Sequence, residues 1–389
     1  MRIRHVPVWI LLVGVLLLAG ALLAGCAKPA EKTIKIGALL EVTGVSSSLG
    51  QPEKNTLEMV VEEINKKGGI NGKQVELKLY DIKSNEAEAK VMFKKLVEED
   101  KVSVIVGPAT SGPSIALKVE ANNAKVPLIS HAASFKIVEP VAESQYIFKT
   151  AQSDKVVLER IIDYFKGKGY KKIAFLSQSD AFGDSGRAEF EKMAPAAGLE
   201  VVAWERFKRE DTDMTPQLTN VKKANPDAVL VWAIPPSASV VTKNYRELKL
   251  EMPLFHSHGI GNRTFIDQAG EAANGVVFPI GRLLVADILP DSDPQKKVLQ
   301  EYAAAYKAKY NAPPSTFGGH AWDGINLALE AIKAVGTDPV KIRDYLENNV
   351  KGFVGISGVF NMSPQDHNGL TKDSLVMVKI EGGQYKLAE

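Results

Sequence analysis

Two histidines stand two residues apart in "LFHSHGIGN", residues 254–262, directly after an apolar run and just ahead of glycines. On a β-strand the side chains at i and i+2 leave the same face. Two imidazoles on one face, His256 and His258, are half of a zinc site or the start of a proton-transfer pair. His131 ends the apolar segment "VPLISH", and His320 opens the helical segment "HAWDGINLAL". A second chemistry is anion capture. "GPATSGPS", residues 107–114, sets Thr110 and Ser111 among small residues ahead of a helical pattern. Backbone N–H groups and the positive helix end can meet a carboxylate there. The bland alternatives are equally physical. Thr110 and Ser111 can simply cap the helix, His131 and His320 can be hydrogen-bonded structural residues, and Asp323 suits the first turn of its helix through the dipole.

Several chemistries lack their residues. No Gly-Lys-Ser ends the "GPATSGPS" loop, no G-x-G-x-x-G follows a strand, and neither G-x-S-x-G nor H-E-x-x-H occurs. Phosphate loops, dinucleotide sites, nucleophile elbows and zinc-protease helices are therefore not indicated. No nucleophile lies beside a base at recognised spacing, so the reading is of a protein that is not an enzyme and needs no cofactor.

The elements that must position these residues alternate. "TIKIGALLEV", "KQVELKLYD", "VSVIVGP" and "VPLISH" read as strands, with helices "PEKNTLEMVVEEINKKGG", "NEAEAKVMFKKLVEED" and "SIALKVEANNAK" between them. The rhythm restarts after "YIFKT": "KKIAFLSQ", "LEVVAWERF", "AVLVWAI" and "MPLFHSH" are strands between helical segments. Strand–helix–strand repetition implies parallel sheets covered by helices. After about residue 290 come three closely spaced helices and two short terminal strands, "GVFNM" and "SLVMVKIEGGQYKLAE", too little for a third domain. The predicted division is lobe 1 at 33–149 plus about 282–357, and lobe 2 at 150–281 plus about 358–389. In such sheets ligands sit beyond the carboxyl ends of the strands. The segments found there, "EVTGVSSSLGQ", "SHAAS", "SQSDAFGDSG", "WAIPPSAS" and "FGGHAWDG", are rich in small and hydroxyl residues.

The beginning of the chain reads as a leader. Arg2 and Arg4 precede an apolar run from Val8 to Ala24, and "LLAGC" places Cys26 after two small residues. The layout is that of a secretory signal and resembles a bacterial lipobox, with cleavage before Cys26 and lipidation of its thiol. Cys26 is the only cysteine, so the chain can form no internal disulfide. Residues 1–25 are the predicted signal and 26–32 a tether. Of the 48 basic and 46 acidic residues, loss of 1–25 removes Arg2 and Arg4 and no acid, which leaves a formal charge of zero. Nothing in that balance draws the protein to nucleic acid.

The lipobox together with "KIGALLEVTGVSSSLGQ", "GGINGKQVELKLYD", "VIVGPATSG", "VPLISHAAS" and "AFGDSG" resembles the leucine/isoleucine/valine-type substrate-binding proteins of ABC importers. The resemblance implies a type I periplasmic binding protein fold: two Rossmann-like lobes joined by three crossover strands, closing on a ligand by a hinge. It implies an ABC permease partner, an extracytoplasmic monomer held to the membrane by its lipid, and no nucleic-acid partner. It also implies ligand contacts. Ser111, with Thr110 beside it, and Ala132 and Ser134 after the fourth strand match residues that hold the ligand carboxylate. Phe182 stands where the family keeps a tyrosine, and Leu49 matches an aromatic or polar position in the first loop. Trp232 is a further apolar wall candidate.

The largest departure falls on the opening stretch. Amino-acid binders keep an acid for the ligand ammonium in the segment that here reads "SHGIGN", and His258 takes its place. Two ligands follow. One is an aliphatic amino acid whose ammonium meets Asp180, Asp184 or Asp323 instead. The other is a carboxylate without an ammonium, with His258, His131 and His320 donating hydrogen bonds at its far end. Readings of another class are zinc held by the cleft histidines and a sensory ligand-binding module.

Overall fold

A computed structural model describes residues 33–388. The predicted signal, Cys26 and the tether lie outside the described residues. The chain builds two helix-covered sheets. The first takes β1 (Thr33–Leu40), α1 (Ser47–Lys66), β2 (Gln74–Asp81), α2 (Glu86–Lys95, prolonged by a π turn to Asp100), β3 (Ile105–Val106), α3 (Ser111–Ala116), α4 (Lys118–Ala124), β4 (Leu128–Ser130) and β5 (Ile147–Lys149). The second takes α5 (Asp154–Lys168), β6 (Lys172–Gln178), α6 (Ala181–Ala196), β7 (Glu200–Phe207), α7 (Thr215–Ala224), β8 (Ala228–Trp232), α8 (Ser237–Glu247), β9 (Leu254–His256), α9 (Arg263–Ala269) and β10 (Val277–Gly281). Then follow α10 (Lys296–Tyr310), α11 (Thr316–Val335), α12 (Pro339–Asn349), β11 (Lys351–Val354), β12 (Val359–Asn361), β13 (Leu375–Glu381) and β14 (Gln384–Leu387).

The first sheet runs β2-β1-β3-β4-β5 and is parallel throughout. The second runs β14-β13-β10-β9-β8-β6-β7, parallel from β7 to β10 and antiparallel at β13 and β14. Each sheet therefore reverses its winding once, beside its first strand: between β1 and β3, and between β6 and β8. Those are the switch points where crevices open. Burial explains the strands. β8 reads AVLVW and is buried at every position, as a parallel strand covered on both faces must be. Helix α5 buries Val157, Leu158, Ile161, Ile162 and Phe165, a stripe at helical spacing, and ends on Gly169 at φ 76°.

The chain crosses between sheets three times: after β5, after β10 and before β13. Helix α11 sends Ala321, Ile325, Ala328 and Ile332 into the core that holds Ile36 of β1 and Ile129 of β4. The last crossing is later than the expected boundary near residue 357. Phe360, Met362 and Leu370 are buried in that same first-lobe core, because β12 pairs with β11 in a two-stranded ribbon instead of joining the second sheet. Helix α10 belongs to both lobes: Leu299 and Tyr302 pack in a second-lobe core while the Tyr302 hydroxyl meets Thr56 of α1 at 2.8 Å. The sequence segment read as one terminal strand is a hairpin, turned by Gly382 and Gly383 at φ 57° and 72°. A two-residue turn with both φ positive is glycine's place.

Candidate functional site

The loop after β1 is buttressed by an acid that sequence reading passed over. Glu41, fully buried, accepts hydrogen bonds from the Ala109 N–H at 2.9 Å, the Thr110 N–H at 3.1 Å and the Thr110 hydroxyl. It thus pins the loop that follows β3 to the end of β1, across the switch point. Burial pushes its carboxyl up to about 7, against the pull of the Thr110 hydroxyl. Its signal in the sequence was only an acid one residue past a buried strand. Next along the sheet, His131 follows β4. Its Nδ1 lies 2.8 Å from Glu53 Oε2 on α1, and both side chains are shut off from water. Burial raises the Glu53 carboxyl and lowers His131 to about 3. The two act as a neutral pair with one proton between them.

From the second lobe, Asp180 caps α6 by accepting the Gly183 N–H at 2.9 Å and a bond from the Gln178 amide. The cap sets Phe182 in the first turn, facing the cleft. Its ring stands edge-on to His258, with centroids 5.9 Å apart. The Ser257 hydroxyl accepts the Gly259 N–H at 3.3 Å and fixes the short turn that carries His258. His258 is lowered to about 3 by burial and then by the charge of Lys149. Helix α11 brings His320, whose Nδ1 lies 2.7 Å from the Ser357 hydroxyl. Burial holds it well below its ordinary value, with His258 and His131 adding to the effect. Three uncharged imidazoles thus meet at one place.

Between the lobes lies a cavity of about 270 Å³. Of the residues expected to touch a ligand, Leu49, Thr110, Ser111, His131, Ala132, Phe182, His258 and His320 line it. Ser134 and Trp232 do not. The Ser134 N–H donates to Ser111 Oγ at 3.3 Å, and its hydroxyl donates to Ser185 of α6 at 2.7 Å, turned away from the cavity. Trp232 is fully buried behind Phe182, with ring centroids 5.7 Å apart, and lies against Gly186, where an added Cβ would come 2.3 Å from the indole. It supports the wall without forming it.

The paired-histidine face does not form. Strand β9 ends at His256, whose Nε2 lies 3.0 Å from the Thr242 hydroxyl of α8, inside the lobe. His258 has already turned into the cleft. Among the described residues no group of three or more His, Cys, Asp or Glu side chains is placed to hold a metal ion. Of the three acids offered to an ammonium, Asp180 alone reaches the wall. Asp184 pairs with Arg206 at the surface, and Asp323 accepts the Ile356 and Ser357 N–H groups at 2.6 and 2.8 Å.

Arg209 was also missed. It follows β7, in a stretch that reads by sequence as ordinary charged surface. Its Nη2 donates to the Val45 carbonyl at 3.3 Å across the cleft, and it lines the cavity. Walls from both lobes, apolar at Leu49, Phe182, Ile234 and Phe317 and polar at a few points, suit a small molecule of mixed character. Among the described residues no helix is long and apolar enough to cross a membrane.

The model of the periplasmic binding protein family matches residues 33–384. A leucine-, isoleucine-, valine-, threonine- and alanine-binding protein of Pseudomonas aeruginosa is 27% identical over 331 residues, covering 82% of this chain and 83% of that one. A branched-chain amino acid transporter substrate-binding protein of Streptococcus pneumoniae, solved with isoleucine, superposes with a TM-score of 0.81 at 31% identity, covering 92% of this chain and 99% of that one. An ABC transporter solute-binding protein of Rhodopseudomonas palustris, solved with 3,4-dihydroxybenzoic acid, superposes with a TM-score of 0.77 at 25% identity, covering 92% and 96%. These relatives are binding proteins, not enzymes.

Proposed function

The chain belongs to the periplasmic binding protein family, and we propose that it is the extracytoplasmic, lipid-anchored substrate-binding protein of an ABC importer. It captures a small carboxylate-bearing ligand as two lobes close about their three connections, and hands it to a permease of the branched-chain amino acid type. The observation that carries this reading is the cavity at the two switch points, walled from both lobes. The residues on its wall that the family resemblance assigns to the ligand are its proposed contacts, and Cys26 is the proposed site of lipidation.

Two ligand classes divide at His258. An amino acid brings an ammonium, and a buried ammonium with no carboxylate partner is destabilising by several kcal/mol. His258, kept neutral by burial, offers no charge in return. Asp180, the one of the three offered acids that reaches the wall, is already engaged as the cap of α6; a carboxylate without an ammonium needs no such partner, and the apolar wall suits an aliphatic or aromatic body. The relative solved with 3,4-dihydroxybenzoic acid has a ligand of this second class, and we favour it over the amino-acid class represented by isoleucine.

A thermal-shift panel on the mature protein tests the reading, with amino acids, aromatic acids, 2-keto acids and divalent metals. Stabilisation by acids without turnover is expected, about 2.7 kcal/mol at a hundred times the dissociation constant. Stabilisation by zinc alone would sink it. For the anchor, Cys26→Ser is expected to release the protein from membranes; retention of the unlipidated form counts against lipidation.

A further inference from the structure

We propose that Glu41 is a positioning residue for the ligand's acid group: a proton taken up on its carboxyl reverses its bond to Thr110 and turns the Thr110 hydroxyl toward the ligand, so that acid and proton bind together. This rests on the binding-protein reading above. It keeps the acid group at the loops after β3 and β4 and adds a proton to the binding step.

Thr110 is shared between Glu41 and the cavity. Its hydroxyl donates to Glu41 Oε1, and the residue lines the cavity. Although it precedes α3, its side chain makes no helix cap. A hydroxyl has one hydrogen to give. While Glu41 is ionised its oxygens only accept, and that hydrogen is committed to Oε1. The Ser111 and Ser46 hydroxyls on the same wall stay available to the ligand: Ser111 Oγ accepts the Ser134 N–H at 3.3 Å, and Ser46 Oγ is buried without a partner. Thr110 joins them once Oε1 gains a hydrogen and donates it to Thr110 Oγ. Oε2 goes on accepting the Ala109 N–H at 2.9 Å, so the loop keeps its place.

Charge favours the proton. An ionised Glu41 and an ionised ligand would lie on the two sides of one loop. Among the described residues that line the cavity, Arg209 is the only lysine or arginine. It donates to the Val45 carbonyl at 3.3 Å, and its one charge is already shared between Asp180 and Glu41. The other groups that face Glu41 add no positive charge. Glu53 of α1 repels it. His131, after β4, is kept neutral by burial, and Asp81, at the end of β2, is engaged by the Thr43 N–H at 3.1 Å. Without ligand, burial holds the Glu41 carboxyl at about 7, and a second anion beside it raises it further. The proton comes from solvent and ends on Oε1.

The test is calorimetric titration of the mature protein with 4-methylpentanoate and 3-phenylpropanoate at pH 6 and pH 8. Buffers of different ionisation heat count the protons exchanged on binding. At pH 8 the wild type is expected to take up between about one half and one proton per ligand, and to bind up to about tenfold more weakly than at pH 6. Glu41→Gln is expected to take up none and to hold one affinity at both pH values. That substitution separates the Glu41 proton from those of Asp154, Lys149 and Asp323, which burial also moves toward neutrality. Thr110→Ser is expected to keep the wild-type profile, and Thr110→Val to lose affinity at pH 6 and most of the pH dependence; this pair decides the matter if Glu41→Gln does not fold. Binding without proton uptake in the wild type, an uptake that Glu41→Gln leaves unchanged, or a wild-type profile in Thr110→Val overturns this inference and leaves the binding-protein reading standing. A wild type that binds no acid from this pair or from the thermal-shift panel overturns both.

Discussion

At the scale of the residue, His258 and Glu41 divide the work of setting charge in the cleft. His258 occupies the place where amino-acid binders keep an acid, and burial keeps it neutral near pH 7. Restoring an acid there, His258→Glu, is expected to weaken an anionic ligand by tenfold or more, about 1.4 kcal/mol, measured by titration. Equal affinity would mean the side chain does not feel the ligand. Glu41 carries a pH signature. Its carboxyl sits at about 7 in the folded protein against an ordinary 4.5. The folded state therefore holds a proton that the unfolded chain has released. That contribution to stability is complete below pH 4.5 and is lost as pH rises toward 7. Glu41→Gln is expected to lose less stability than the wild type across that window, by up to about 3 kcal/mol, as read from urea melts at several pH values. Identical slopes would put Glu41 in water. His256 teaches the opposite lesson to His258. The spacing i, i+2 promised a shared face, and the strand ended between the two.

At the scale of the element, the site depends on how closely helices approach strands behind it. Gly186 of α6 lies against Trp232 at the end of β8, and a Cβ would sit 2.3 Å from the indole. Gly186→Ala is expected to destabilise the protein by about 1–3 kcal/mol through overpacking, and to weaken ligand binding by displacing Phe182, which rests on Trp232. A thermal melt and a titration read the two effects. Most of this scale was legible from sequence. Alternation of apolar strands with amphipathic helices marked the parallel sheet of the first lobe and the parallel part, β6 to β10, of the second, and the position of the small-residue loops at strand ends located the cavity. Of the β11–β12 ribbon only β12 was legible, as the short strand "GVFNM": "KGFV" has too few apolar residues to stand out from the helix before it, and pairing between two short strands leaves no periodic mark. Arg209 was invisible for a different reason. A lone arginine in "FKREDTD" has the composition of a solvated turn, and only the approach of the other lobe encloses it.

At the scale of the whole molecule, the lobes are tied across the cleft by a run of hydroxyls. Ser134 of the first lobe donates to Ser185 of the second, and Ser185 donates to Asp154, the first residue of α5 after the first crossing. Asp154 and Lys149, at the two ends of that crossing, are fully buried, and burial raises the one and lowers the other. Ser185→Ala removes the link without touching the cavity wall. It is expected to weaken ligand binding roughly fivefold, the worth of about one hydrogen bond, and to leave the unliganded protein more open by X-ray scattering. Unchanged scattering would detach the link from closure. The central claim, a carboxylate ligand without an ammonium, is tested most directly by titrating the mature protein with two matched pairs: leucine against 4-methylpentanoate, and phenylalanine against 3-phenylpropanoate. The account predicts that the acid lacking the ammonium binds the more tightly in at least one pair and that neither amino acid binds tightly. Tight binding of leucine or phenylalanine, with no binding of its partner acid, would contradict it.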